Sequence, residues 1–244
     1  MKENKYEDNT FFDQYSQMAR SIQGLKGAGE WHVLKKMLPD FKGKQVLDLG
    51  CGFGWHCRYA ADKGAKSVLG IDISEKMINE AKKKNNSPCI KYECVAIEDF
   101  DYPPLTFDIV ISSLAFHYAE SFDDICQKVH RTLAADGKFV FSVEHPVFTA
   151  FGNQDWFYAQ DGSPLHWPVD NYFREGKRNA NFLGENVIKY HKTLTTYING
   201  LLSSGFNIQE LREPEPDNAM LRTMPEMRDE LRRPIFLIIS AGKR

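Results

Sequence analysis

One short segment constrains this chain more than any other: an apolar run that breaks into alternating glycines. The segment VLDLGCGFGWHC, residues 46–57, places Gly50, Gly52 and Gly54 directly after a stretch typical of a buried strand. Glycines in such a turn let a strand pass into a helix while the backbone stays close to a ligand, as in doubly wound α/β folds. The segment therefore predicts an α/β protein with a ligand site at the end of its first strand.

The segments that follow alternate between strand and helix. Apolar runs such as SVLGIDI, CIKYECVAI and FDIVISSLAF are separated by segments such as SEKMINEAKKKN, whose apolar residues recur at helical spacing. We also predict helices over residues 9–23 and 121–137, the second one ending at Gly137, before a fifth strand in KFVFSVE. Strands that are apolar throughout and joined by helices predict a mostly parallel sheet with helices on both faces.

Residues 146–190 interrupt this alternation with a long segment rich in aromatic residues, glycine, proline and asparagine. A long irregular segment inside a compact domain usually has a function, and its aromatic content argues against disorder. We predict a lid over the edge of the sheet. The chain then reads as a single domain with an N-terminal helical cap (1–43), a core that carries the glycine turn (44–145), the lid, and a C-terminal helix and strand pair (191–244).

Composition and charge exclude several classes of protein. A net charge of −2 and 42% hydrophobic residues are average for a globular chain and make nucleic acid an unexpected partner. The N-terminal MKENKYEDNT lacks the apolar core of a signal peptide, and no apolar run approaches the roughly 18 residues that a membrane span needs. The five cysteines lack a CxxC pair, which favours reduced side chains in a cytoplasmic protein and no metal site.

Two acids limit the ligand of the glycine turn. The turn reads GxGxG rather than the GxGxxG of dinucleotide-binding proteins, although Asp72 ends the second strand where a ribose diol needs an acceptor. Asp48, two residues before Gly50, opposes a pyrophosphate at the helix N-terminus. A nucleoside that carries an amino acid and a sulfonium avoids this conflict, because its ammonium favours Asp48 and its carboxylate can accept backbone N–H groups from the turn.

The combined motifs resemble a known family. VLDLGCGFG followed by VLGIDIS is similar to the first two motifs of class I S-adenosylmethionine-dependent methyltransferases. FDIVISSLAFHY resembles the segment after their fourth strand, and LAADGKFVFSVEHP resembles their fifth strand. The resemblance covers residues 44–146 and extends more loosely to the final helix and two strands. It implies a doubly wound sheet of seven strands with an antiparallel last strand, S-adenosylmethionine as cofactor, and the small-molecule branch of the family.

The resemblance also implies which residues hold the cofactor. The methionine part would lie along Asp48, Gly50, Cys51 and Gly52, and Asp72 would accept both ribose hydroxyls. For the glycines, the alternative is a tight turn without a ligand; for Asp72, it is a carboxylate that stabilises the start of the next helix.

The adenine would lie between two segments. Ile73 would pack on its ring, and Met77 either joins this contact or belongs to the core. Ala96, Ile97 and Glu98 match the segment that brackets adenine after the third strand. Many relatives carry Asp or Asn at the start of this segment, where this chain has Val95 and Ala96. We therefore expect the adenine to be contacted through backbone groups here, and the role of the Glu98 side chain stays open.

Other contacts are expected near the methyl group and at the cap. Ser113 and Leu114, just past the fourth strand, would touch the methionyl or sulfonium region. Tyr15 and Arg20 in the N-terminal helix are candidates for the cofactor carboxylate, and Trp31 would close the other side. Core packing is the alternative reading for Tyr15 and Trp31.

Methyl transfer from a sulfonium is an in-line displacement, so alignment and exclusion of water matter most. A general base helps where the acceptor is acidic, and histidine suits that role near pH 7. The candidates are His117, His145, His166 and His191. We favour His145, after the fifth strand, and His191, on the return from the lid, with Glu144 as a fallback base; the alternative is that these groups anchor the lid.

Two other functions stay open at this level. One is an NAD(P)-dependent oxidoreductase, which a purely parallel sheet would support, whereas an antiparallel terminal pair in FNIQELRE and PIFLIISAG would match the methyltransferases. The other is a protein that binds S-adenosylmethionine without turnover. The expected partner is a small-molecule acceptor, and the assembly is left open between a monomer and a homodimer.

Overall fold

The computed structural model describes residues 4–244, with residues 225 and 226 described by their backbone alone. The strands are β1 Gln45–Leu49, β2 Ser67–Asp72, β3 Ile90–Cys94, β4 Phe107–Ser113, β5 Leu133–Glu144, β6 Phe157–Tyr158, β7 Pro164–His166, β8 Gly176–Phe182, β9 Glu185–His191, β10 Phe206–Arg212 and β11 Phe236–Lys243. The α-helices are α1 Asn9–Ser16, α2 Ala19–Ile22, α3 Trp31–Met37, α4 Trp55–Asp62, α5 Glu75–Lys84, α6 Phe122–Thr132, α7 Pro146–Thr149, α8 Leu194–Ser203 and α9 Asn218–Thr223. Short 3-10 helices span Lys5–Glu7, Gly24–Gly27, Phe116–Tyr118 and Pro225–Arg232.

The main sheet has the predicted topology. Within the described part of the chain, seven strands pair in the order β10-β11-β5-β4-β1-β2-β3. The strands β1 to β5 run parallel to one another, while β11 is antiparallel to both β5 and β10. This confirms the mostly parallel sheet with an antiparallel last strand and removes the support that a purely parallel sheet would have given to an oxidoreductase.

The topology also determines where a ligand can bind. The strand order reverses between β1 and β4, because β2 and β3 lie on one side of β1 and β5 lies beyond β4. The loops that follow β1 and β4 therefore diverge and leave a crevice at the carboxyl ends of these strands, which is where doubly wound sheets bind ligands.

Helices cover both faces of the sheet. On one face α6 and α8 bury a cluster that includes Phe116, Phe122, Phe141 and Tyr197, whose rings lie close to one another. On the other face α4 and α5 pack against strand residues such as Val46. Each fully buried large side chain contributes about 1.5–3 kcal/mol, so these two clusters hold the carboxyl ends of the strands in a fixed arrangement.

Two predicted helices have different bounds in the structure. The helix predicted over residues 9–23 breaks at Met18, whose extended backbone separates α1 from α2. The helix predicted over residues 121–137 was too long, since α6 ends at Thr132 and Leu133 already belongs to β5, where it is fully buried and pairs with Phe107. Tertiary burial of Leu133 outweighs the helical pattern there.

The segment predicted as an irregular lid contains regular structure. It begins with α7 and continues with two antiparallel hairpins, β6–β7 and β8–β9. The second hairpin packs on the chain that follows β4 and on α7. No helix within residues 4–244 has the length and apolar character needed to cross a membrane.

Candidate active site

Three adjoining pockets, which share lining residues and are called lobes of one cavity below, lie at the crevice between β1 and β4. The turn lobe lies over the glycine turn, the cap lobe lies between that turn and α2, and the insertion lobe lies under residues 146–190. Tyr15 lines all three lobes, Gly52 joins the turn and cap lobes, and Leu114 joins the turn and insertion lobes. The insertion lobe has a volume of about 450 Å³.

The structure brings most of the predicted cofactor residues to these lobes. The turn lobe is lined by Tyr15, Gly50, Gly52, Asp72, Ile73, Met77, Ala96, Ile97, Glu98 and Leu114. The cap lobe adds Arg20, Cys51 and Ser113. Asp48 lines none of the three lobes, because it is buried behind the glycine turn with 1% of its surface exposed.

Asp72 is held at the end of β2 by two backbone donors. Its Oδ2 accepts a hydrogen bond from Gly52 N at 2.9 Å, and its Oδ1 accepts one from Ser74 N at 2.9 Å. Burial raises the pKa of Asp72 to about 6, although these two bonds oppose the rise. Each carboxylate oxygen has a second lone pair, so the side chain can still accept two hydroxyl groups that enter the turn lobe.

Glycine is favoured at three positions of this turn, and the space around an added Cβ differs among them. Gly50, Gly52 and Gly54 all have positive φ, between 52° and 75°. A Cβ at Gly50 would lie 2.4 Å from the Ala115 Cβ, and one at Gly54 would lie 2.3 Å from the Tyr92 hydroxyl. A Cβ at Gly52 would meet no protein atom within 4 Å, since this position faces the open cavity. The turn is thus shaped for close approach of a ligand at Gly52.

Four amides of this turn already donate to acceptors of the protein. Gly50 N and Cys51 N both donate to Ile71 O, at 2.9 and 2.8 Å, and Gly52 N donates to Asp72. Gly54 N donates to Cys51 O at 2.9 Å. A phosphate cradle needs free N–H groups, and these four amides do not offer them to a pyrophosphate. The same four amides are not available to a ligand carboxylate.

Asp48 has one acceptor atom without a protein partner. Its Oδ2 accepts a hydrogen bond from the Cys57 thiol at 3.1 Å, whereas Oδ1 is buried and has no hydrogen bond within the described part of the chain. Burial raises the pKa of Asp48 to about 7, and the nearby charge of Asp72 adds to the rise. A buried acceptor without a partner is uncommon, so the site favours a cation or a water molecule next to Oδ1.

A buried ion pair fixes the cap to the end of β4. Arg20 Nη2 donates to both carboxylate oxygens of Glu30, at 2.8 and 2.9 Å, and Ser113 Oγ donates to Glu30 Oε1 at 3.1 Å. Burial alone would raise the pKa of Glu30, but Arg20 holds it below its usual value. Arg20 therefore reaches the lobes as one half of an ion pair. No sequence signal pointed to Glu30, which precedes α3 without a motif of its own.

The cap lobe contains three polar atoms that the protein leaves without a partner. Ser21 Oγ, Trp55 Nε1 and His56 Nε2 are buried and make no hydrogen bond to any described residue. Burial lowers the pKa of His56 to about 4, so its ring is neutral near pH 7. Buried polar groups are almost always hydrogen-bonded, which indicates a polar ligand group here. Sequence reasoning missed these residues because WHC reads simply as the start of a helix.

The insertion lobe has a polar end formed by β5, β9 and the segment before β6. Lys189 Nζ lies 2.5 Å from Glu144 Oε1 and 2.8 Å from Gln154 Oε1, and Gln154 Nε2 donates to Glu144 Oε2 at 2.7 Å. His117 completes this group, with its Nε2 4.0 Å from Glu144 Oε1. We call these four residues the polar cluster.

The other three candidate histidines, His145, His166 and His191, do not line the lobes. His145 caps α7, with Nδ1 accepting from Val147 N at 3.0 Å and Nε2 2.8 Å from Glu213 Oε1. His191 is fully buried between Thr149 Oγ1 at 2.7 Å and Tyr172 O at 2.8 Å. The two histidines that the sequence favoured as bases therefore lie outside the cavity, where they hold the insertion against the sheet. His166 stacks on Phe157 in the first hairpin, and His117 alone of the four candidates lines the cavity.

Within residues 4–244, no three side chains of His, Cys, Asp or Glu come together in a way that could hold a metal ion.

Comparison with known proteins identifies close similarities. A family model described as a methyltransferase domain matches residues 47–141. The chain is similar to the crystal structure of a Listeria monocytogenes protein assigned to the S-adenosylmethionine dependent methyltransferases, with 61% identity, a TM-score of 0.86, and coverage of 91% of this chain and 99% of that one. It is also similar to an S-adenosylmethionine dependent methyltransferase from Mesorhizobium loti, with 42% identity, a TM-score of 0.83, and coverage of 90% and 100%.

The curated proteins give one similarity over the whole chain and several shorter ones. An uncharacterised protein of Haemophilus influenzae is 33% identical over 250 residues, covering 98% of this chain and 96% of that protein. The chain spans less than half the length of the curated relatives with named activities that it matches. The ubiquinone biosynthesis O-methyltransferase of Neisseria meningitidis is an example, 34% identical over 107 residues that cover 42% of this chain and 45% of that enzyme. Others are named for a ribosomal protein or a tRNA.

Proposed function

Because this chain belongs to the S-adenosylmethionine-dependent methyltransferases, we propose that it methylates a small molecule bound in the insertion lobe. Its cofactor is S-adenosylmethionine, which supplies a methyl group on a positively charged sulfur that needs no further activation. The residues of the cavity have to hold this cofactor, align the acceptor with the methyl group and exclude water.

The turn lobe is proposed to hold the nucleoside. Asp72 would accept the two ribose hydroxyls with the lone pairs that its backbone donors leave free. Ile73 and Met77 would pack on one face of the adenine, and Ala96, Ile97 and Glu98 would border its edge. Open space at Gly52 supports this fit, because any larger residue would occupy part of the lobe.

The cap lobe is proposed to hold the amino-acid end of the cofactor. Its carboxylate would take donors from Ser21 and Trp55, since the amides of the glycine turn are engaged elsewhere. Arg20 adds a positive charge at the same lobe. The ammonium would be favoured electrostatically by the carboxylate of Asp48, which is buried behind the turn.

The methyl group would then lie where the three lobes meet, near Tyr15, Ser113 and Leu114. Leu114 has a φ of 55°, a left-handed conformation that costs a residue with a side chain about 1 kcal/mol. Its side chain lies between the turn and insertion lobes, and such strain often occurs at functional positions. We infer that Leu114 separates cofactor from acceptor and defines the path between them.

The cover over the insertion lobe is the observation that carries the small-molecule proposal. Phe148, Gln154, Phe182 and Lys189, all within residues 146–190, line the lobe together with Met220, Met224 and Met227. A mostly apolar concave site that the insertion partly covers fits a small ligand better than a protein or nucleic-acid surface. The similarity to an enzyme named for ubiquinone biosynthesis agrees with this choice. We propose that residues 146–190 act as the lid of this lobe and that the enzyme works in the cytoplasm.

Binding and turnover can be tested separately. Calorimetry should show micromolar or tighter binding of S-adenosylmethionine and S-adenosylhomocysteine and none of NAD. Incubation of the enzyme with donor labelled in its methyl group and a cell extract should place label in the small-molecule fraction. Label found in the tRNA or protein fraction instead would contradict the small-molecule proposal while leaving the enzyme class intact.

A further inference from the structure

The imidazole of His117 is oriented by a single backbone contact. Its Nδ1 accepts a hydrogen bond from Glu144 N at 3.5 Å, so Nδ1 carries no proton and Nε2 carries it. Burial lowers the pKa of His117 to about 3, because the ring is 2% exposed, and the ring is therefore neutral near pH 7. His117 thus offers the insertion lobe an uncharged N–H donor, and a ring in this state is not a base.

Glu144 offers the complementary acceptor. Burial would raise its pKa, but Lys189 at 2.5 Å holds it below the usual value, so the carboxylate stays ionised. Lys189 uses one lone pair of Oε1, and Gln154 uses one of Oε2. An ionised carboxylate has four acceptor positions, which leaves room for one more donor from the lobe.

The donor and the acceptor are too far apart to satisfy each other. His117 Nε2 and Glu144 Oε1 are 4.0 Å apart, beyond hydrogen-bond distance for two such atoms. A single atom placed between them could accept from Nε2 and donate to Oε1. An atom of a neutral hydroxyl group has both capacities.

The charge around the lobe favours a neutral ligand. The charged side chains that line it in the described part of the chain are Arg20, Glu144 and Lys189. Arg20 is paired with Glu30, and Lys189 is paired with Glu144. A ligand carboxylate would have no proton for Glu144 and would face its charge, while a ligand ammonium could not accept from His117. Burying either charge without a partner is costly.

We propose that the methyl acceptor is an uncharged, largely apolar molecule whose hydroxyl group bridges His117 Nε2 and Glu144 Oε1. This inference rests on the proposed function and specifies its substrate class. Most of the remaining lining is apolar and includes Met220, Met224, Met227 and Phe148. Methionine adapts to irregular apolar shapes, so this wall suits a hydrocarbon or aromatic skeleton while the polar cluster selects the hydroxyl.

The test uses matched ligands on the protein loaded with S-adenosylhomocysteine. One set is decanol, decanoate and decylamine, and the other is naphthol, naphthoate and naphthylmethylamine. In calorimetry, the hydroxyl member of at least one set should bind at least about tenfold more tightly than its charged counterparts. Tighter binding of a carboxylate or an ammonium member, or no binding of any hydroxyl member while S-adenosylhomocysteine binds normally, would overturn the proposal.

Variants connect this preference to the two residues. His117→Phe keeps a ring and removes the donor, and the double variant Glu144→Met with Lys189→Met removes the acceptor without leaving a buried lysine unpaired. Both should lower the hydroxyl preference about tenfold and leave the affinity for S-adenosylhomocysteine unchanged. The control is Glu185→Gln on the second hairpin, which removes an ion pair with Lys5 near the N-terminus. This variant should keep the hydroxyl preference.

A measurement on the unmodified protein completes the test. Nitrogen-15 NMR of the histidine rings should show His117, assigned with the His117→Phe variant, as a neutral ring protonated at Nε2 near pH 7. A charged ring, or a proton on Nδ1, would contradict the proposal. Failure of the wild-type protein to bind S-adenosylhomocysteine would instead count against the proposed function. A failure of the substrate proposal and a failure of the proposed function can thus be distinguished.

Discussion

At the scale of single residues, two buried acids at the glycine turn have different surroundings. Asp72 receives two backbone N–H donors and faces the turn lobe, whereas Asp48 receives one thiol donor and lies behind the turn. Both have raised pKa values because both are buried. Their contacts predict different consequences of removing the charge.

We predict that Asp72→Ala weakens binding of S-adenosylmethionine by about 1.5–3 kcal/mol, the scale of a lost hydrogen bond to a charged group. Calorimetry at about pH 7.5 measures the change, well above the pKa of about 6. Asp62→Ala, which removes an exposed acid of α4, is the control and should bind like the wild type. Equal affinity in Asp72→Ala would reject the ribose assignment.

Asp48 should make stability depend on pH. Its pKa is about 7 in the folded protein, above the ordinary aspartate value of 3.8 that applies in the unfolded chain. Between these pH values the folded state holds a proton that the unfolded state has released, so the free energy of unfolding falls as pH rises through this window. We predict that Asp48→Asn loses less stability than the wild type between about pH 5 and pH 8, by a difference of about 2–3 kcal/mol. Urea unfolding at both pH values tests this, and parallel losses in the two proteins would contradict it.

These residues also show how far the sequence could be interpreted. Asp72 and the glycines lie in contiguous motifs at strand ends, and a pattern along the chain can place such residues in one crevice. Ser21 lines the same cavity and Glu30 reaches Ser113 at the end of β4 through the packing of the cap, which depends on contacts distant in sequence. His145 and His191 were favoured from their positions near strand ends, but their rings turn toward Glu213 and Tyr172, and no periodicity encodes that direction.

At the scale of elements, the turn between β1 and α4 combines three glycines at which an added Cβ would point in different directions. Positions 50 and 54 face protein atoms, and position 52 faces the cavity. The sequence pattern predicted a ligand at this turn without distinguishing among the three positions. The distinction comes from Ala115, in the loop after β4, and Tyr92, on β3.

We therefore predict that Gly52→Ala weakens binding of S-adenosylmethionine at least about tenfold, because its Cβ would enter the turn lobe. The variant should also lose about 1 kcal/mol of stability, since φ is 52° at this position. Gly43→Ala is a matched control: its φ is 73°, its Cβ would likewise meet no protein atom, and it lies in an exposed turn away from the cavity. Gly43→Ala should lose similar stability and keep full affinity, and equal affinities in both variants would sink the prediction.

Element bounds show the same limit of sequence patterns. Residues 133–137 continue the helical sequence pattern of α6, yet Leu133 pairs with Phe107 and is the first residue of β5. The insertion has no period that a sequence reveals, although it folds into two hairpins. Hairpins in this segment are held by contacts with β5 and α7, which arise only in the folded protein.

At the scale of the whole molecule, the insertion contributes to the proposed acceptor site and not to the proposed cofactor site. None of the residues from 146 to 190 lines the turn lobe or the cap lobe, whereas five of them line the insertion lobe. The two parts meet through the pair between Lys189 on β9 and Glu144 on β5. The insertion should therefore contribute to stability and acceptor binding without changing cofactor affinity.

Lys189→Met gives a direct test of this division. It leaves Glu144 buried without its cation, and breaking a buried pair in this way costs about 3–5 kcal/mol. We predict a loss of stability in that range together with an affinity for S-adenosylhomocysteine within about twofold of the wild type. The matched control is Lys83→Met on α5, whose pair with Glu80 is exposed and worth under about 1 kcal/mol. Adding Glu144→Gln to Lys189→Met should recover part of the loss, because the unpaired charge is then removed. A large loss of cofactor affinity in Lys189→Met, with the protein still folded, would show that the insertion and the cofactor site are coupled.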